Sequence, residues 1–305
     1  MWLTIIVIGY FLNAVAAVVD KFLISKKIPN PAVYTFYITL LGLAGLVLIP
    51  WGFNWLGWQL FLIAIIAGLT FTLALLHLFK GLSLGEASRI TPFIGGLSPV
   101  FVFIFSFFFL QEKLAQNQIV ALLLIILGTI FISYGRGISV NPAKAYWFAF
   151  FSALMFGLSY TLIKYIFNSA SFVNGFIWIR LTTFLGGLIL LFWQKNRRAI
   201  FGEKDGSDKN GAGGADGGIK KSWPLFLFGQ VVGSVSFILI NYAISLTSVT
   251  LVNALQGLQY IFLFAIALIL YNWRPYLLEE KMRGRVLVQK FLAIIFIGLG
   301  LYLLV

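Results

Sequence analysis

The chain contains no cysteine and only one histidine, His77, in 305 residues. Disulfides, thiolate nucleophiles and Cys-based metal sites are therefore excluded, and no multi-histidine metal centre can be assembled. Charge is scarce too: charged residues are 10% of the sequence, against about 25% in soluble domains. Only nine are acidic, and no pair of carboxylates falls at the middle of an apolar run. A catalytic set at membrane depth is missing, so the chain is not read as an enzyme, and no cofactor or metal is expected. Hydrophobic residues take up the space, at 61%, with 32 Phe. A soluble chain of this length would need polar residues to cover its surface.

Runs of about 20 apolar residues are long enough to cross a bilayer. Ten such runs are predicted: 2–20, 32–50, 58–79, 87–110, 117–135, 144–165, 172–193, 223–244, 249–271 and 286–305. The expected fold is an all-α integral membrane protein of ten transmembrane helices. Pro or Gly marks most links, and Trp51, Trp55 and Trp58 cluster where amphipathic rings favour the interface. Residues 202–219 are rich in Gly, Asp, Lys and Asn with little to bury, which predicts a disordered loop. Ala14-Val15-Ala16 resembles a signal-peptidase site, but the start lacks a basic segment, so the first run is read as a span.

The second half repeats the first. At a constant offset of 164 residues, Thr70, Thr72, His77 and Arg89 meet Ser234, Ser236, Asn241 and Asn253. Further on, the turn Glu112-Lys113 meets Glu280-Lys281, and Gly128 meets Gly298. The expected units are 1–136 and 143–305. Five spans in each unit force the second to enter the membrane upside down, and the interface of such repeats is where transporters hold their substrate.

The formal charge of +13 does not point to nucleic acid, because the basic residues are scattered beside spans. Of the 22 Lys and Arg residues, all but Lys113, Lys164 and Arg180 lie in or next to links 1–2, 3–4, 5–6, 7–8 and 9–10. The positive-inside rule puts those links in the cytoplasm and both termini outside, in a cell (inner) membrane.

Residues Ala87 to Gly135 resemble the EamA-type domain of the drug/metabolite transporter superfamily. The resemblance is carried by Lys80-Gly81, Ala87-Ser88, Leu97-Ser98-Pro99-Val100-Phe101, Gln111-Glu112-Lys113-Leu114 and Leu127-Gly128-Thr129-Ile130. Asn241–Leu303 looks like a divergent copy, with Phe262-Leu263 in place of Ser-Pro. The resemblance implies ten helices as two five-helix repeats and a carrier of small metabolites, often an exporter of amino acids or other organic solutes. It also implies cytoplasmic termini, against the charge count, which is followed here. The small multidrug relatives use a Glu midway along their first helix, where this chain has Asn13 and no acid.

Candidate binding residues follow from polarity at membrane depth. Asn253, Gln256 and Tyr260 are spaced i, i+3, i+7 and share one helical face, with Gln259 off-centre. They either wall a cavity or hydrogen-bond between packed helices. The matching row on the fourth span is Arg89, Pro92, Gly96 and Pro99, where two prolines free carbonyls that need a polar neighbour. Arg180 lies midway along the seventh span, where a charge costs about 2.5–3.5 kcal/mol on insertion scales. It either clamps an anionic solute group or forms a structural ion pair. Trp178 is a further lining candidate. Asp20, Glu86, Lys80 and His77 are candidates for a gate or for proton or ion coupling near one mouth.

The expected function is a secondary carrier moving a small organic metabolite by alternating access. Its basic lining suits an anionic or zwitterionic solute, and its partners are that solute and the lipid bilayer. The alternative is a flippase for a lipid-linked or amphiphilic substrate, which needs a side opening toward lipid. Oligomeric state is not written in the sequence.

Overall fold

A computed structural model describes residues 2–26, 30–85, 87–133, 141–201, 215–273 and 284–304. Among them there are helices and no strands. The helices are α1 (Trp2–Lys26), α2 (Pro31–Leu41), α3 (Trp58–Leu84), α4 (Ala87–Leu110), α5 (Gln116–Ser133), α6 (Pro142–Ser169), α7 (Phe172–Ile189), α8 (Gln194–Phe201), α9 (Ala215–Leu246), α10 (Val249–Ala254), α11 (Gly257–Trp273) and α12 (Gly284–Leu304). A 3₁₀ helix, Gly42–Trp51, continues α2. Among the described residues, eight segments are long and apolar enough to cross a membrane, and two apolar helices, Gln116–Phe131 and Phe291–Gly300, are shorter.

Local chemistry starts these helices. The Asn30 side chain accepts from the N–H groups of Ala32 and Val33, with Pro31 at the first helical position of α2. Asn141 and Pro142 repeat the device at α6, while Ser171 and Ser248 cap α7 and α10. The helices approach closely because small residues line their contacts. Gly68 of α3 lies directly against the Thr182–Thr183 backbone of α7. Nearby, the Thr72 hydroxyl donates to the Thr183 carbonyl at 2.9 Å. Ser152 and Ser159 of α6 donate to the α3 carbonyls of Ala74 (2.9 Å) and Ala67 (2.8 Å). Ser236 of α9 donates to the Gly9 carbonyl of α1 at 2.8 Å. The most extensive pairings are α3 with α6, α1 with α9, and α5 with α12.

Three expectations need correction or fall outside the described residues. The run 249–271 is not one helix: it breaks at Leu255-Gln256 between α10 and α11. Of the stretch expected to be disordered, residues 202–214 lie outside the described residues, and 215–219 are helical, because the helix of Trp223–Leu246 extends its hydrogen bonding upstream. Glu86 and the Glu280-Lys281 turn also lie outside the described residues. The short basic helix α8 was not anticipated.

Candidate functional site

A cavity of about 210 Å³ lies between the helices. Its walls come from α1, α2 with the start of its 3₁₀ extension, α3, α4, α6, α7, α9 and the α10–α11 segment. Among the described residues, neither α5 nor α12 contributes. The lining residues sit toward one end of the bundle: Asn13 to Asp20 in α1, Phe71 to Leu82 in α3, Thr91 to Ser98 in α4 and Gly229 to Ile240 in α9. That is the end of links 1–2, 3–4 and 7–8. The opposite end is packed shut by Ile6, Tyr10, Ala64, Val102, Ile163, Val252 and Leu255. Side chains also tie the helix ends there. The Lys164 ammonium donates to the Ile244 and Ser245 carbonyls at 2.9 and 3.4 Å, near the end of α9, where a cation also suits the helix dipole. The Thr250 hydroxyl donates to Glu112 at 3.1 Å and is 2.9 Å from the Ser106 hydroxyl.

Arg180 stands on the cavity wall with only 7% of its surface exposed. Among the described residues its guanidinium makes no salt bridge and no hydrogen bond. It is held instead over aromatic faces, 3.6 Å from the Phe237 ring centroid and 5.0 Å from that of Phe176. The 3₁₀ winding of Gly42–Trp51 makes room for it. Side chains three apart eclipse in a 3₁₀ helix, so Gly42 and Gly45 form one smooth row. A Cβ at Gly42 would lie 3.4 Å from the guanidinium, and one at Gly45 would lie 3.2 Å from Arg180 Cγ. A planar fork with five donors thus faces a cavity while its stem is packed against glycine and its charge lies over rings.

The other polar groups on the wall are neutral, apart from one carboxylate. Asp20, half-buried, accepts a hydrogen bond from the Tyr34 hydroxyl. Asn13 Nδ2 donates to Gln259 Oε1 at 3.0 Å, linking α1 to α11 across the cavity floor. Gln256 lies beside it, and the Ser98 hydroxyl faces the cavity buried and without a partner among the described residues. The break between α10 and α11 aims these amides. Three i→i+3 bonds, Gln256 to Asn253 at 3.1 Å, Leu258 to Leu255 at 2.9 Å and Gln259 to Gln256 at 3.0 Å, tighten the turn and rotate the following face.

With this geometry in hand, residues 1–134 match the family described as the EamA-like transporter family. The matched segment is under half of the chain. The match is to a family of membrane transporters. No curated protein matches the chain. Among solved structures, one described only as "Crystal structure of protein" superposes with a TM-score of 0.63 over 98% of this chain and 97% of that one. It is 14% identical, so the likeness concerns the fold alone.

The residues expected to form the site divide at the cavity. Arg180, Gln256 and Asp20 line the cavity together. Asn253 does not: its amide closes on the Val249 carbonyl one turn back, at 2.9 Å. Tyr260 is buried against α4, its hydroxyl resting on Gly95 and donating to the Thr91 carbonyl at 2.8 Å. It is a strut between helices and not a cavity wall. Tyr260→Phe is expected to lower stability by about 0.5–1.5 kcal/mol, read as a drop in melting temperature of the purified protein. Gly96 faces Thr129 and Ile130 of α5, away from the cavity. Trp178 donates its indole N–H to the Asn54 carbonyl at 3.0 Å within a ring cluster with Phe53, Trp55 and Phe61. Arg89 is half-buried, already engaged, and off this wall.

The gate candidates divide likewise. His77 Nδ1 is 2.7 Å from the Leu73 carbonyl, and its ring packs beside Phe148 and Phe151. The Lys80 ammonium sits 5.5 Å from the Phe148 ring centroid. Both lie on the α3–α6 side, off the cavity wall, because their helical phase differs by about a quarter turn or more from that of Phe71, Leu75, Leu78 and Leu82. Gln259, Asn13 and Ser98 line the cavity without having been singled out as binding residues. A mid-span polar side chain was the only signal that could have found them.

Proposed function

We propose that the protein is a secondary carrier that moves a small anionic or zwitterionic organic solute by alternating access around Arg180. The observation that carries this reading is the guanidinium itself: buried at a cavity wall, stacked on Phe237 and Phe176, with no carboxylate partner among the described residues. A charge is kept at that depth at a cost of several kcal/mol only where something uses it. A solute carboxylate or phosphate fits its planar fork with paired, charge-assisted hydrogen bonds.

Two inverted five-span repeats, 1–136 and 143–305, provide the frame. Under that exchange the pairing of α1 with α9 maps onto the pairing of α6 with α3, and the α5–α12 pair maps onto itself, which supports the reading. A cavity set toward one end of the bundle and packed at the other fits one of the two states such a carrier visits. The Lys and Arg distribution makes the open end cytoplasmic and places both termini outside, in the inner membrane. Export is the direction the family resemblance implies. Asp20, the one acid on the cavity wall among the described residues, is the residue through which protons would couple.

The test is counterflow into proteoliposomes against a panel of carboxylated, phosphorylated and neutral solutes, with and without a proton gradient. Saturable counterflow of an anionic or zwitterionic solute is expected. Unsaturable conduction, or counterflow of neutral solutes alone, would overturn the proposal, and movement of labelled lipid alone would favour a flippase.

A further inference from the structure

We infer that α8 is an interfacial anchor for anionic phospholipid, with its outward face on the headgroups beside the bundle. The inference does not depend on which solute the cavity takes. The chain leaves the span Phe172–Phe192 through one extended residue, Trp193. The helix α8 starts at once, the Arg197 N–H donating to the Trp193 carbonyl at 3.0 Å. At its other end, Ile200 is buried in one apolar cluster with Leu23, Val33 and Phe226. These stand at the end of α1, the start of α2 and the start of the span Trp223–Leu246. A helix fixed at both ends to the rims of spans lies along the membrane surface and not across it.

The residues of α8 divide by face, as a 3.6-residue turn requires. Ile200 is buried with Asn196 and Ala199 half-buried beside it, so this face turns to the protein. Gln194, Lys195, Arg197 and Phe201 are exposed on the other face. Phe192, Trp193 and Phe201 leave 85%, 58% and 63% of their surfaces uncovered. Isolated helices shorter than about 12 residues are marginal in water. With Ile200 its one buried side chain, this eight-residue helix needs whatever covers the outward face. Charge selects the kind of lipid. Residues 194–221 carry seven Lys and Arg against four acids, so three cations stay in excess even if every acid is paired. Neutral lipid would cover the rings and leave the cations unmatched, whereas an acidic protein would meet the cations and leave the rings in water. An anionic phospholipid surface meets both. The Lys and Arg distribution assigns this end to the cytoplasmic leaflet, whose surface is negative.

The test places a single cysteine, Gln194→Cys, in the otherwise cysteine-free chain and attaches a polarity-sensitive fluorophore. The labelled protein is placed in phosphatidylcholine vesicles containing rising amounts of phosphatidylglycerol. Emission is expected to move to the blue as phosphatidylglycerol rises. It should return toward the aqueous value at about 1 M salt, where charges are screened within about 3 Å. Lys195→Gln and Arg197→Gln are exposed and off the cavity wall, so the melting temperature should hold. Each should lower the ratio of immersed to aqueous label about fivefold, the worth of one cation at an anionic surface. The salt titration needs no charge variant, so it decides even where a substitution harms folding. Equal emission in both lipids, an aqueous label throughout, or a lipid response that survives high salt would overturn the inference.

Discussion

Arg180→Ala is expected to reduce counterflow of an anionic solute by roughly 10- to 150-fold, because hydrogen bonds to a charged group contribute about 1.5–3 kcal/mol and each 1.4 kcal/mol is tenfold. The loss should be specific to anionic solutes. Arg180→Lys should recover only part of it: the ammonium keeps the charge, but it lacks the fork that grips a carboxylate at two points and stacks less well on Phe237. A merely structural Arg180 would behave differently. Both substitutions would then lower the melting temperature and reduce transport of every solute alike. The discriminating quantity is therefore the ratio of anionic to neutral transport, measured alongside thermal unfolding.

The second large effect concerns Gly68, where α3 meets the α7 backbone at Thr182 and Thr183. A side chain there has no flexible neighbour to push aside, so the helices themselves must separate. Gly68→Val is expected to cost in the upper part of the roughly 1–3 kcal/mol typical of overpacking, seen as a lower melting temperature and poor yield. It would also disturb the Thr72–Thr183 hydrogen bond, which spans the same contact. Gly284→Ala is the control, since among the described residues a Cβ there meets nothing within 4 Å. Its expected effect is nil or slightly stabilising, as Ala is the better helix former. Equal tolerance at both positions would refute the close-packing account.

The bilayer simplifies the first level of reading. Apolar runs between Pro, Gly and Trp markers place the spans, and a charge such as Arg180 inside one of them stands out because lipid penalises it. Asp20 is similarly visible as one of few acids near a span. What the residue pattern could not convey is departure from a 3.6-residue turn. The row Asn253, Gln256, Tyr260 shares a face only if the helix is continuous. The i→i+3 bonds at Leu255-Gln256 rotate that face, sending Gln256 and Gln259 to the cavity while Asn253 closes on its own helix. The 3₁₀ winding after Leu41 is equally silent in a stretch of Gly, Leu, Ala and Val, yet it builds the groove for Arg180.

Tertiary partners are the other hidden layer. Tyr260 looks like a cavity residue until the Thr91 carbonyl and Gly95 of α4 are seen to receive its ring and hydroxyl. Trp178 likewise finds a backbone carbonyl, at Asn54, that no spacing rule would have named. Polarity at membrane depth identifies which residues need a partner. Only packing decides whether that partner is a neighbouring helix or a passing solute.

The natural absence of cysteine allows a direct test of the central claim, a single cavity around Arg180 that is exposed alternately to the two sides. Ser234 lines the cavity, half-buried, and Ser234→Cys changes it little. In sealed vesicles, a membrane-impermeant thiol reagent should label that cysteine from the end of links 1–2, 3–4 and 7–8. Transported solute should change the labelling rate from both sides, in opposite directions. Labelling from neither side, or labelling indifferent to every solute the protein carries, would contradict the account.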